Sequence, residues 1–337
     1  MDPPNEDNST PPTVLLHCRI DRLRVMYPIG KSYNGSIQVH KAVCTAEDID
    51  TCGNFLTQNE NFPIQDIFVA VKYVNIADDA VIHNLRVDVE RSRSLPYHRN
   101  LIGVRKPFHY NRYYCVIFPL MELGSLRSIM AARFPNGLPE ECIVVVLKET
   151  LNGLSFIHRN GLIHREINAG HIFLNGKPEI RLAFSASIYD EHQDQPSQYV
   201  PVGSICKWAA APEVHKHGNR FIGDKSDIWM VGITALELAY GGLRVFDRDD
   251  LEKMLRMIQT TKELPSDWRD KKEGGINMFT SFLFKKRSFS KAFQNMVVKC
   301  LSREPNWRPN VQELLEYDVF TKCNKDVYWF NNLLRNN

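Results

Sequence analysis

None of the eight cysteines (Cys18, Cys44, Cys52, Cys115, Cys142, Cys206, Cys300 and Cys323) stands in a C-x-x-C pair. Their scatter indicates neither a zinc site nor a disulfide framework, so reduced, buried or spare thiols are the expected state. No uninterrupted apolar run reaches the ~18 residues of a membrane span. The longest, near Trp229 to Leu243, is broken by Glu237. The N-terminal MDPPNEDNSTPP lacks an apolar core and is not a signal peptide. Charge of one sign is also missing: 42 basic against 39 acidic residues give +3, too balanced for a nucleic-acid or polyanion binder. No internal repeat is found. The cytoplasm is the expected location, with the nucleus left open, and neither a membrane nor a nucleic acid is expected as a partner.

What is present is an ordinary globular composition. Apolar residues make up 43% and charged residues 24% of 337, enough to build a core. The length suits about two domains at ~150 residues each.

The first third reads as short strands. Ile20–Ile29 ends at Gly30, Ser36–Val43 follows a turn, Phe68–Val74 is β-branched, and Tyr113–Leu120 is another apolar run. The polar stretch from Cys44 to Asp66 is a long loop for so small a sheet. Ala77–Arg93 has a helical period through Ile82, Leu85 and Val89. After Gly124 helices take over. Glu140–His158 is amphipathic, and Asp227–Ala239 is apolar nearly all round, as in a helix buried on every side. Further helices are predicted at Leu251–Gln259, Ser290–Leu301 and Val311–Tyr317.

Particular segments within this order carry a resemblance. They are Val69-Ala70-Val71-Lys72 on a strand, His164-Arg165-Glu166-Ile167-Asn168-Ala169-Gly170-His171, and Ala211-Pro212-Glu213. Lys225-Ser226-Asp227-Ile228-Trp229 with Gly232-Ile233-Thr234, and Pro305-Asn306-Trp307-Arg308-Pro309, follow in order. Over about Ile20 to Phe320 the chain resembles the protein-kinase fold, closest to the sterile-20-like serine/threonine group. The resemblance implies an α+β, bilobal architecture. A small, mostly-β N-lobe with one helix would span 13–120, including the 44–66 loop, and a larger, mostly-α C-lobe 121–320. Residues 1–12 would be a disordered tail and 321–337 a C-terminal tail.

Phosphoryl transfer requires metal-binding oxygens, a carboxylate for the attacking hydroxyl and cations on the phosphates. The phosphate-cradling loop reads Gly30-Lys31-Ser32-Tyr33-Asn34-Gly35, with Ser32 in place of the middle glycine. A side chain there hinders close backbone approach to phosphate. An ordinary hairpin turn at Asn34-Gly35 also accounts for this segment. Lys72 matches the family's phosphate-contacting lysine, whereas its glutamate partner falls on Val89, and Glu90 would serve only with a one-residue shift. Phe118 stands at the gatekeeper position, before a hinge at Pro119–Glu122 that includes Met121.

Glu166 replaces the catalytic aspartate on a stem one methylene longer. Asn168 replaces the lysine directed at the transferred phosphate. His171 replaces the asparagine that ligates the second magnesium, and Mg²⁺ prefers hard oxygen ligands. The stretch Ile180 to Tyr189, where the metal-binding Asp-Phe-Gly belongs, contains no acidic residue. Matching SASIYD puts Arg181-Leu182-Ala183 there, while counting from His171 puts Phe184 there. In the first register the Arg181 cation would stand in for magnesium against ATP phosphates.

The structural parts of the family pattern match. Glu213 and Arg308 correspond to its buried salt bridge, and Asp227 to the helix aspartate that braces the catalytic loop. Ser197, Tyr199 and Ser204 are candidate phosphosites in the segment between Ser187 and Ala210. Tyr328-Trp329-Phe330 either packs on the lower lobe or docks a partner, as the Trp-Glu-Phe tail of sterile-20-related adaptor pseudokinases does. The expectation is a pseudokinase acting as a scaffold or allosteric activator. It would bind ATP, bind magnesium weakly or not at all, and partner another kinase or a helical-repeat scaffold. The alternative is an atypical active serine/threonine kinase using Lys72, Glu166 and a relocated metal ligand, Glu179 or Asp190.

Overall fold

The computed structural model describes residues 15–16, 23–32, 37–44, 67–105, 107–177, 179–183, 209–217, 223–242, 248–266 and 287–336. The predicted tail 1–12, loop residues 45–66, Gly35 and the candidate phosphosites lie outside them. The chain divides into two compact units, Met1–Arg93 with Gly103–Leu120, and Ser94–Ile102 with Met121–Asn337. Ser94–Ile102, counted with the first lobe from sequence, therefore belongs to the second unit.

The first unit is an antiparallel sheet in the order β1-β2-β3-β4-β6-β5. Its strands are β1 (Leu15–Leu16), β2 (Leu23–Ser32), β3 (Ile37–Cys44), β4 (Ile67–Asn75), β5 (Phe108–Tyr110) and β6 (Tyr113–Pro119). Alternation in β4 explains the VAVK run. Val69 and Val71 point to one face and pack with Ala42, Cys115 and Ile117. Val74 points to the other face, where helix α1 (Asp79–Ser94) lays Ile82, Leu85 and Val89 against Ile37, Tyr114 and Val116. Burying each of those helix side chains stabilises by about 1.5–3 kcal/mol.

Strand β2 runs past its predicted end. Gly30 lies inside it opposite Val39, and the ladder continues to Ser32 opposite Ile37. A register shift between Pro28 and Gly30 accommodates the proline, which has no N–H for the ladder.

The second unit is helical around α3 (Glu140–Arg159) and α5 (Asp224–Tyr240). Helix α5 is buried from Ser226 to Tyr240, as its all-round apolar sequence predicts. It begins three residues before Asp227 because the Ser226 hydroxyl accepts from the Gly223 N–H. Strands β7 (Gly124–Ser125), β8 (Ile172–Leu174) and β9 (Ile180–Leu182) form a small antiparallel sheet. Helices α2 (Leu126–Arg133) and α4 (Pro212–His217) were not predicted. Helices α6 (Arg248–Thr261) and α7 (Lys291–Cys300) were. The predicted Val311–Tyr317 helix ends at Leu315 as α8 (Val311–Leu315), and a further short helix, α9 (Asp318–Thr321), follows it.

The C-terminal tail is a helix, α10 (Val327–Asn336), packed on the second unit. Val327, Phe330 and Leu334 are buried, Trp329 is half-buried and Tyr328 is exposed. Among the described residues no helix is long and apolar enough to cross a membrane. Cys115, Cys142, Cys300 and Cys323 are free thiols.

Candidate functional site

The segment His164–His171 leaves α3 and is held from below by one carboxylate. Asp227, fully buried in α5, accepts the His164 N–H at 2.8 Å on Oδ2 and the Arg165 N–H at 2.7 Å on Oδ1. His158 Nε2 lies 2.8 Å from the same Oδ2. Arg165 needs this support, because its φ of 77° is a left-handed conformation costly for a residue with a side chain. The His164 imidazole adds a second tie: Nε2 donates to the Ala183 carbonyl at 2.8 Å and Nδ1 accepts the Glu166 N–H at 3.2 Å. That pattern fixes the neutral, Nε2-protonated tautomer.

Of the three residues predicted to carry the chemistry, Asn168 and His171 are spent on the fold. Glu166 is buried, with 8% of its surface exposed. Asn168 is turned inward. Its Oδ1 accepts from Arg127 Nη2 at 3.0 Å and from the Gly170 N–H at 2.8 Å. Arg127 also donates from Nε to Glu237 Oε1 at 2.8 Å, and Glu237 Oε2 accepts the Ala169 N–H at 2.9 Å. A Cβ at position 170 would come within 2.7 Å of the Arg127 guanidinium and 2.9 Å of Asn168 Oδ1, so glycine permits this close packing. His171 Nδ1 lies 2.8 Å from the Glu166 carbonyl oxygen and therefore carries the proton of that contact. His171 thus supplies a donor that closes the loop, and no hard oxygen.

The β8–β9 hairpin follows. Phe173 pairs with Arg181 and Ile172 with Leu182, and the Ala183 N–H continues the ladder to the His171 carbonyl at 2.8 Å. Arg181 lies within the strand ladder, and Ala183 is the residue whose backbone meets both His164 and His171. Arg181 Nη2 donates to Glu179 at 2.8 Å, and Asn175 Nδ2 donates to the same oxygen at 3.1 Å. Phe184 and Asp190 lie outside the described residues. Met121, at the start of the second unit's hinge segment, is buried, and its carbonyl accepts the Gly124 N–H at 2.9 Å.

In the first unit Lys72 Nζ sits 5.0 Å from the centroid of the Phe118 ring, a cation–π distance. Both side chains are half-buried. Val89 is buried in the apolar face of α1 and Glu90 is exposed, which agrees with the helical period read from sequence. Gly30 is exposed in β2, and Ser32 forms its last rung.

The fold-holding pair is fully formed. Arg308, 1% exposed, makes a two-pronged ion pair with Glu213 at 2.7 and 2.8 Å. The guanidinium also donates to the Ser302, Lys225 and Arg303 carbonyls and stacks 5.0 Å from the Trp229 ring. Every N–H group is thus occupied in a geometry that suits a buried cation.

Arg127 and Glu237 were missed from sequence. Glu237 carries a signal in hindsight, because a carboxylate inside an otherwise apolar buried helix needs a partner. Arg127 gives none, since α2 is short and starts directly after a strand. Among the described residues no His/Cys/Asp/Glu cluster could hold a metal ion.

The family model described as "Protein kinase domain" matches residues 64–320. The chain is 28% identical over 320 residues to "Serine/threonine-protein kinase fray2" of Dictyostelium discoideum, covering 93% of this chain and 27% of that one. It is 25% identical over 305 residues to "STE20-related kinase adapter protein alpha" of Rattus norvegicus, covering 81% and 77%. The human "STE20-related kinase adapter protein beta" is 25% identical over 261 residues, covering 68% and 62%. The chain spans between 27% and 45% of the length of the fray-type and germinal-center kinases it matches.

Proposed function

This chain belongs to the protein kinase family, and on that premise we propose that it is a pseudokinase, a scaffold or allosteric activator of a partner kinase. The observation that carries the reading is the inward commitment of the catalytic loop. Asn168 is bonded to Arg127 and Gly170, and His171 to the Glu166 carbonyl. Both side chains are bonded within the loop, and Asn168 also to α2, in this arrangement. The names of the adapter relatives favour the same reading.

Magnesium does not fit the donor set. The stretch Ile180–Tyr189 offers no carboxylate, and His171 offers nitrogen where oxygen is needed. ATP is the proposed nucleotide, bound without metal. The proposed partner is another kinase or a helical-repeat scaffold, met in the cytoplasm.

An atypical active kinase is the second reading. The Dictyostelium relatives named as kinases and the carboxyl retained at Glu166 favour it. Against it, the Glu179 carboxylate is already bonded by Arg181 and Asn175.

Thermal unfolding with and without ATP, each with and without Mg²⁺, tests the proposal. Ligand at ~100 times its Kd adds about 2.7 kcal/mol, roughly 2–4 °C for a chain of this size. A rise that needs no metal is expected. A rise that requires Mg²⁺ contradicts the proposal, and an unchanged midpoint removes the nucleotide from it.

A further inference from the structure

Helix α10 touches two of the elements that, besides α5, hold the catalytic-loop segment in place. On one side, Asn331 Nδ2 and Arg335 Nη2 both donate to the Gly176 carbonyl, at 3.4 and 3.1 Å. The N–H of the same glycine is taken by Glu122 Oε2 at 2.8 Å. Gly176 lies in the β8–β9 turn, so the turn is gripped on both of its polar groups. The hairpin then runs straight to the loop, where Ala183 donates to the His171 carbonyl and accepts from His164 Nε2.

On the other side, Arg133 in the last turn of α2 donates to the Leu334 carbonyl. That carbonyl belongs to the final turn of α10, where backbone acceptors have no partner within the helix. The N-terminal end of α2 carries Arg127, which holds Asn168 and Glu237 and whose N–H donates to the Ala169 carbonyl at 3.0 Å. One helix therefore grips the hairpin and α2, and both end on the segment His164–His171.

The seat of α10 is apolar but polar-imperfect. Val327, Phe330 and Leu334 form its buried stripe, while the buried Asn331 Oδ1 meets no hydrogen-bond partner among the described residues. An unmet buried acceptor weakens a docked helix and favours its release.

We propose that α10 is a built-in clamp, which when docked restrains the catalytic-loop segment and when displaced loosens it. The coupling runs through hydrogen bonds inside the second unit and does not depend on whether the chain transfers phosphate.

Hydrogen exchange on the full chain tests this, because local opening reports coupling site by site. The double variant Asn331→Ala/Arg335→Ala removes the grip on Gly176, and Arg133→Ala removes the other arm. Arg335 and Arg133 are exposed whereas Asn331 is buried, so the unfolding midpoint of each variant is measured alongside to confirm that it folds. Phe330→Ala undocks the helix altogether, and Tyr328→Ala, on its exposed side, is the control. Exchange of the amides from His164 to Ala183 is expected to accelerate tenfold or more in the first three variants and to stay unchanged in the control. Protection in α7 should hold. Acceleration confined to residues 327–336, or acceleration of equal size in α5 and α7, overturns the proposal.

Discussion

Arg127 and Asn168 are joined by a 3.0 Å hydrogen bond from Nη2 to Oδ1, and the same guanidinium is paired with the buried Glu237 at 2.8 Å. Asn168, expected from the resemblance to stand at the position of a phosphate-directed lysine, is an acceptor for a cation in the structure.

Asn168→Lys is accordingly expected to leave phosphotransfer absent. A lysine would bring like charge against Arg127 and leave the Gly170 N–H without its acceptor. An unmet buried donor costs about 1–3 kcal/mol, and urea unfolding is expected to show a loss of that size. A lysine variant with wild-type stability would contradict the role given to Asn168.

Arg308→Ala breaks the pair with Glu213 and leaves a carboxylate facing a buried cavity. Removing one partner of a buried pair costs about 3–5 kcal/mol. Denaturant titration of the variant should show a loss in that range, whereas a change under 1 kcal/mol would mean that the pair contributes little.

Asp227→Asn keeps the shape but removes the charge that accepts the His164 and Arg165 amides. A loss of about 1–3 kcal/mol is expected from the weakened buried bonds. Hydrogen exchange at Arg165, whose φ of 77° the carboxylate sustains, should accelerate more than exchange in α7.

Gly232→Ala tests how closely α5 and α7 approach. A Cβ there would come within 2.8 Å of Leu301 and 2.9 Å of Cys300. Overpacking of that kind costs about 1–3 kcal/mol, so the thermal midpoint should fall despite alanine's better helix propensity. A rise in midpoint would contradict the packing described.

Alkaline pH should destabilise the chain. Burial pushes the Cys142 and Cys300 thiols from 9.0 up to about 12, and burial also raises the Tyr240 phenol. These groups stay neutral in the folded state while the unfolded chain ionises, so stability is full below pH 9 and lost as pH rises from about 9 toward 12. Cys142→Ala should flatten that slope in pH-dependent denaturant titrations, and an unchanged slope would count against its burial.

Much of this was legible in residues. The Val69–Val74 alternation and the all-round apolar α5 announced themselves because both are buried on more than one side, which leaves a period or the lack of one in the sequence. Glu213, Asp227 and Arg308 were readable from their motifs, and Val89 from its helical spacing with Ile82 and Leu85. The Arg127–Asn168–Glu237 knot was not, since it joins residues far apart in the chain through a helix of eight residues, too short for a period. The placement of Arg181 also needed strand pairing, because counting along a turn of uncertain length gives two registers. The helix at Val327–Asn336 was read only as an aromatic cluster, although Val327, Phe330 and Leu334 already have helical spacing.

The most direct test of the central claim is transfer of labelled γ-phosphate from ATP to the chain itself and to a generic protein substrate, with Mg²⁺ and with Mn²⁺. Transfer no greater than that of Glu166→Ala is the predicted result. Metal-dependent transfer that Glu166→Ala abolishes would show a working kinase and contradict the account.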